Sequence, residues 1–234
     1  MPESPGPLRD AASALRYWEL RQQVATNNLA NAETPGFKAE RVFAHLLNDA
    51  TLSMGAETDM RGGSLRPTGN PLDVGLVNET SFFVVSTPRG ERLMRGGTFR
   101  LDEKGQITDT AGYALLGEDG PITVPEGVKL TIDGDGTVRG SGVPLGRLRI
   151  ETVADAQTLE HEMAGLWRAT GERTKVEGDD RGVRQGVLEA SNTNTLEGMV
   201  ELIEIQRAFA AAQNGVRTLD GVLDNIANRI GRVG

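Results

Sequence analysis

The sequence predicts an α+β protein, with long N- and C-terminal coiled-coil-like helices packed together and a central antiparallel β-rich domain. In the last forty residues Leu202, Phe209, Val216, Leu223 and Ile230 recur every seven, and Ile205, Ala212, Leu219 and Ile226 follow three residues after each of the first four. This is an a/d seam, the pattern of a helix that packs along another helix. At the other end Leu8, Leu15 and Leu29 are seven or fourteen apart, with Ala11, Trp18 and Ala25 at the d offset. Between the two seams, thirty glycines in 234 residues punctuate short apolar runs, which favours strands and turns over a helical centre.

Residues 1–7 are rich in Pro and Gly, and Pro7 fits the first turn of a helix, where its missing N–H costs nothing. A helix is expected from about Leu8 to Asn31. Its a/d face carries one polar residue, Gln22, and several alanines that permit close approach of a neighbour. Beyond Asn27, Asn28 and Asn31 comes Thr34-Pro35-Gly36-Phe37. Pro at the second position and Gly at the third are what a type II turn requires, since Pro presets φ and Gly supplies φ > 0. The asparagines are expected either to cap backbone groups or to bond across a subunit contact.

Residues 37–68 are expected to be a short helix, suggested by Val42, Phe43, Leu46 and Leu47, followed by a weakly patterned connector. From residue 69 to 193 a β-rich domain is expected. Asp73–Val77, Phe82–Val85, Phe99–Leu101, Ile122–Val124, Leu130–Ile132 and Leu145–Ile150 are short apolar runs separated by Gly/Asp turn clusters. With no long helical crossovers between them, the sheet is antiparallel. Residues 154–183 are polar and mixed, with Leu159, Met163, Leu166 and Trp167 as anchors, and a further strand is expected at Gly186–Glu189. The C-terminal helix starts near Asn194, where Asn194-Thr195-Leu196-Glu197 has the spacing of a capping box.

Composition and motifs exclude several function classes. The net charge is −8 and the pI about 4.9, which leaves no basic stripe for nucleic acid. No cysteine is present, so disulfides, thiolate chemistry and Cys-type zinc sites are out. No run approaches the ~20 apolar residues of a membrane span, and the N-terminus lacks the features of a Sec-type signal peptide. Only two histidines occur, His45 and His161, and both are expected to be structural. Asp133-Gly134-Asp135-Gly136 resembles the start of an EF-hand loop, but Pro144 stands where its twelfth-position Glu belongs, so a tight turn is expected instead. Nothing points to a catalytic, metal or cofactor site.

An isolated helix of this length is marginal in water, so both terminal helices need partners. The candidate assembly residues are Leu8, Leu15, Trp18, Ala25 and Leu29 at one end, and Leu202, Ile205, Phe209, Ala212, Val216, Leu219, Leu223, Ile226 and Ile230 at the other. Asn27, Asn28, Asn31, Pro35, Gly36 and Phe37 are the candidate turn and motif residues. A different class of function, an oligomeric coiled-coil binding module that displays a β-domain, is open at this point.

Two segments carry a family resemblance. Asn27-Asn28-Leu29-Ala30-Asn31 with Thr34-Pro35-Gly36-Phe37-Lys38 resembles the N-terminal motif of the rod and hook family of axial proteins of the bacterial flagellum. Gly186-Val187-Leu188-Glu189-Ala190-Ser191-Asn192, followed by Met199–Ile203 and Gln206–Phe209, resembles its C-terminal motif. Segments of the middle, such as Pro71–Val74, Gly120–Gly127 and Pro144–Leu148, are most similar to the proximal rod type, with a distal rod or hook-type subunit as the alternative. The Pro-rich residues 1–7 depart from the pattern. The resemblance implies a structural subunit of the basal-body rod, the torque-transmitting drive shaft. It also implies export through the flagellar type III apparatus without a cleaved signal, and location in the periplasmic rod. The implied partners are copies of itself and other rod proteins, with no nucleic acid and no membrane insertion. Residues 1–36 and 194–234 would form the helical assembly domain.

Overall fold

The computed structural model describes residues 7–46, 52–162, 165–178 and 181–230, with the side chains of Pro7, Leu8, Leu46, Leu52, Gln157 and 223–230 outside the description. Two helices, α1 (Pro7–Ala30) and α2 (Thr195–Ile230), enclose the strands in sequence. The chain divides into two units. The first comprises residues 1–31, 40–59 and 194–234, and the second residues 32–39 and 60–193.

In the first unit α1 packs along α2. Leu29 lies against Gly198, and Arg21 pairs with Glu201 at 2.6 Å. In a parallel arrangement residue 21 would lie before the start of α2, so the two helices are antiparallel. The Asn194 carboxamide oxygen accepts the backbone N–H groups of Leu196 (3.0 Å) and Glu197 (3.4 Å), which satisfies two of the donors a helix start leaves open.

The short helix expected after residue 37 is a β-hairpin. Strands Glu40–Leu46 and Leu52–Thr58 pair antiparallel from Glu40 opposite Thr58 to Leu46 opposite Leu52, and the hairpin packs on α1. Leu47 lies outside the described residues. The apolar spacing at 42, 43 and 46 fits a helix turn, but Val42 and Phe43 are β-formers, and Phe43 faces Gly55 across the strands so that its ring covers the bare backbone. The expected connector likewise supplies the second hairpin strand and a strand at Leu65–Pro67.

The second unit is an antiparallel body. Its main sheet centres on strand Ser81–Thr87, flanked by Gly90–Met94 and Ala114–Gly117 and joined also by Ile150–Val153. The apolar run Phe82–Val85 is buried throughout because the sheet is covered on both faces. Successive side chains alternate: Phe83 and Val85 enter one core with Phe99, Leu115 and Ile150, while Phe82 and Val84 enter another with Leu93, Val153 and Trp167. Phe83 and Phe99 meet edge to face at 6.3 Å. With few aromatics available, the body concentrates them at these two centres.

The polar segment 154–183 contributes strands Leu159–His161, Leu166–Ala169 and Arg173–Lys175. Leu159, Leu166 and Trp167 are the buried anchors expected, and Met163 lies outside the described residues. Ile122–Val124 contributes a single bridge, Thr123 to Gln106, in place of a strand. The Asp133–Gly136 segment is a turn: Asp133 N–H donates to Thr137 O and Gly136 N–H to Asp133 O, both at 2.9 Å. Strand Val187–Glu189 pairs with Leu65–Pro67.

Candidate assembly interface

The seam residues of α2 that are described lie on one face. Ile205 is 1 % exposed, and Leu202, Phe209, Ala212, Val216 and Leu219 are half-buried, while most positions between them are exposed. On α1, Ala25 and its neighbour Val24 are buried, and Leu15, Trp18 and Leu29 are half-buried. The side chains of Leu8, Leu223, Ile226 and Ile230 lie outside the described residues. Arg21 crosses the pair, its guanidinium 5.4 Å from the Trp18 ring on α1 and bonded to Glu201 on α2. Large side chains at the heptad positions make this stripe because 3.6 residues per turn returns them to one side.

The asparagines have separate roles. Asn28 Nδ2 donates to Glu40 O at 2.8 Å, and its Oδ1 accepts from Glu40 N at 2.9 Å. It therefore acts as a substitute strand partner for the start of the hairpin. Asn31 Nδ2 donates to Asn27 O (2.9 Å) and Oδ1 (3.1 Å), extending the helix end.

In the second unit, Thr34–Phe37 is the expected type II turn. Gly36 has φ +70°, and Phe37 N–H donates to Thr34 O at 3.2 Å. Pro35 is exposed and Phe37 buried, its ring edge-on to His161 at 6.2 Å. His161 also lies 4.7 Å from the Trp167 ring, a packing role.

This turn is fastened to the segment that leads into α2. Gly36 N–H donates to Glu189 O at 2.7 Å, Ala39 N–H to Asn192 Oδ1 at 2.7 Å, and Asn192 N–H to Phe37 O at 3.4 Å. Beneath these bonds lies a buried cluster of three charges. The Glu189 carboxylate accepts from Lys38 Nζ (2.6 Å), Gly63 N (2.9 Å) and Arg95 Nε (3.1 Å). All three charged side chains are at most 2 % exposed. Arg95 further donates to the carbonyls of Asn78 and Ser81 and caps the Phe82 ring at 5.5 Å. Burial pulls the Lys38 ammonium below its ordinary pKa, and the Glu189 hydrogen bond pulls it back up. We call this set the clasp. No local pattern marks it, because its members are 151 and 94 positions apart. The signal in the sequence is charge: Lys38 ends the N-terminal motif, and Glu189 lies inside the C-terminal one.

Among the described residues no group of three His, Cys, Asp or Glu could hold a metal ion, and no helix is long and apolar enough to cross a membrane. Three family models match the chain. The one described as flagella basal body rod protein covers residues 8–38. The flagellar hook protein FlgE/F/G D1 domain covers 76–140, and the flagellar basal body rod FlgEFG protein C-terminal covers 184–230. The flagellar basal-body rod protein FlgF of Salmonella typhimurium is 33 % identical, spanning 86 % of this chain and 88 % of the relative. The chain belongs to the flagellar basal-body rod protein family.

FlgF of Rhizobium meliloti is 31 % identical over 94 % of this chain and 96 % of its own length. FlgG of Buchnera aphidicola (Schizaphis graminum) is 29 % identical over 89 % and 94 %. On this rod-family chain the terminal matches contain α1 with its turn and α2 with its leading strand, so Lys38 and Glu189 fall one in each.

Proposed function

We propose that this chain is a structural subunit of the flagellar basal-body rod that assembles through its terminal helices, and that assembly rather than catalysis is its activity. The observation that supports this most is α2, a 36-residue helix beside a 24-residue α1. At 1.5 Å per residue α2 outruns α1 by roughly 18 Å. The heptad sequence continues through that overhang to Ile230. The described α1 is therefore too short to run along all of that seam, and on this reading neighbouring subunits complete the cover.

On this reading residues 1–36 and 194–234 form the inner helical layer and residues 69–193 the outer body. Partners are further copies and other rod proteins. The chain reaches the periplasm through the flagellar type III apparatus and transmits torque once assembled. The relatives named FlgF favour a proximal position, and those named FlgG make a distal position the second reading.

Removal of residues 1–31 and 194–234 tests the reading in a cell that lacks the chain. The remaining body is expected to accumulate in soluble form without restoring motility. Normal swimming with the truncated chain would overturn it.

A further inference from the structure

The rod-subunit reading leaves open which surface of the helix pair meets the next copy, and the seam is largely turned toward α1. The opposite side of α2 carries a second apolar row. Leu196 is 71 % exposed, Met199 49 %, Val200 51 % and Ile203 51 %. Their spacing of i, i+3, i+4, i+7 puts them on one face, roughly 160° around the helix from the face of Ile205 and Phe209. Single exposed apolar residues are ordinary, but an apolar row on a soluble surface marks a contact.

Charge says what covers it. The antiparallel pairing divides the helix pair into two ends. Where α1 finishes and α2 begins, Glu19, Glu197, Glu201 and Glu204 outnumber Arg21, which is already bonded to Glu201. At the other end, residues 7–18 and 207–222 hold Arg9, Arg16, Arg207 and Arg217 against Asp10 and Asp220. These four arginines, and Glu197 and Glu204, are exposed. The acidic end bears the large apolar side chains. The basic end exposes Ala12 on α1 and Ala210 on α2, small side chains that larger ones can approach closely.

We propose that the Leu196–Ile203 face of one chain docks on the alanine-lined basic end of a second copy shifted along the helix axis. The contact is heterologous, acidic end against basic end. Such a contact does not close on itself and propagates into a helical filament. The apolar row supplies the burial, and the charges set polarity and axial offset.

The chain has no cysteine, which permits a direct test in cells whose only copy carries Ala12→Cys, Val200→Cys or both. With Leu29 beside Gly198, residue 12 lies along α2 about 15 residues from Val200, ~22 Å at 1.5 Å per residue. A disulfide requires Cα atoms within about 7 Å, so the pair cannot form inside one chain. Oxidation of isolated basal bodies is expected to give multimers of the chain with the double variant and monomers with each single one. Three results would overturn the proposal: dimers from Val200→Cys alone, a band joined to a different rod protein, or no cross-link in swimming cells. A second variant, Val200→Glu with Ile203→Glu, covers the case in which the cysteines block assembly. It is expected to leave α1 and α2 protected from hydrogen exchange and to abolish motility. Wild-type swimming by this variant, alongside immotility of the helix truncation, would refute the docking face and leave the rod-subunit reading standing.

Discussion

Glu189 carries the clasp. Its carboxylate is the partner of two buried cations, Lys38 and Arg95. Breaking a buried ion pair by removing one side costs about 3–5 kcal/mol, because the remaining charge stays uncompensated. Glu189→Gln is therefore expected to lower the unfolding free energy of the full chain by that order in urea titrations. Lys38→Met is expected to cost less, since Arg95 still holds the carboxylate and the burial penalty on the ammonium disappears. Equal losses from the two would show that Arg95 does not share the carboxylate. Gly63 adds a steric condition: a Cβ there would lie 1.8 Å from the Ala190 carbonyl oxygen. Gly63→Ala is expected to unpair Leu65–Pro67 from Val187–Glu189, read as accelerated amide exchange in those strands. The turn Thr34–Phe37 was legible in the sequence because Pro and Gly dictate its dihedrals locally. The clasp was not, because nothing local links residues 38, 95 and 189.

At the scale of elements, both helices were legible through their seven-residue period, and strands built on apolar runs, such as Ser81–Thr87 and Leu130–Ile132, through those runs, while strands such as Gly90–Met94 and Thr137–Gly140 left no such mark. The hairpin was missed for a physical reason. A two-stranded sheet that packs on α1 by one side leaves residues such as Phe43 and His45 exposed, so no clean alternation builds up. The strands at 159–175 were blurred similarly: Glu160, His161 and Arg168 are exposed beside the buried Leu159, Leu166 and Trp167, and Arg173–Lys175 has no buried residue. Ile205 is the most deeply buried seam residue described on α2. Ile205→Asp places an unpaired charge there, at a cost of several kcal/mol. Hydrogen exchange is expected to show loss of protection in α1 and α2 with the body strands unchanged. Retained protection in both helices would mean that the seam does not hold them together.

For the whole molecule, acid is the relevant stress. The Arg149 hydrogen bond holds the Glu91 carboxyl below its ordinary value of 4.5, opposed by partial burial and aided by Arg173; Arg181 does the same for Glu118. Unfolding returns both to the ordinary range. Their stabilisation is therefore complete above about pH 4.5 and is lost as pH falls through the lowered values. Both glutamates are more than a third exposed, so each contributes no more than about 1 kcal/mol. The melting temperature is expected to be level from pH 7 to 5 and to fall below 4.5, with a shallower fall in Glu91→Gln. An identical acid profile in that variant would remove the pair from the account. The central claim, that this chain is built into the rod, is tested most directly by location. An epitope inserted at Gly142, in an exposed turn with free space around it, leaves both helices and the clasp intact. In basal bodies isolated from cells whose only copy carries that epitope, electron microscopy is expected to find the label on the rod. Complete rods without label, with the tagged chain recovered as free soluble protein, would contradict the account.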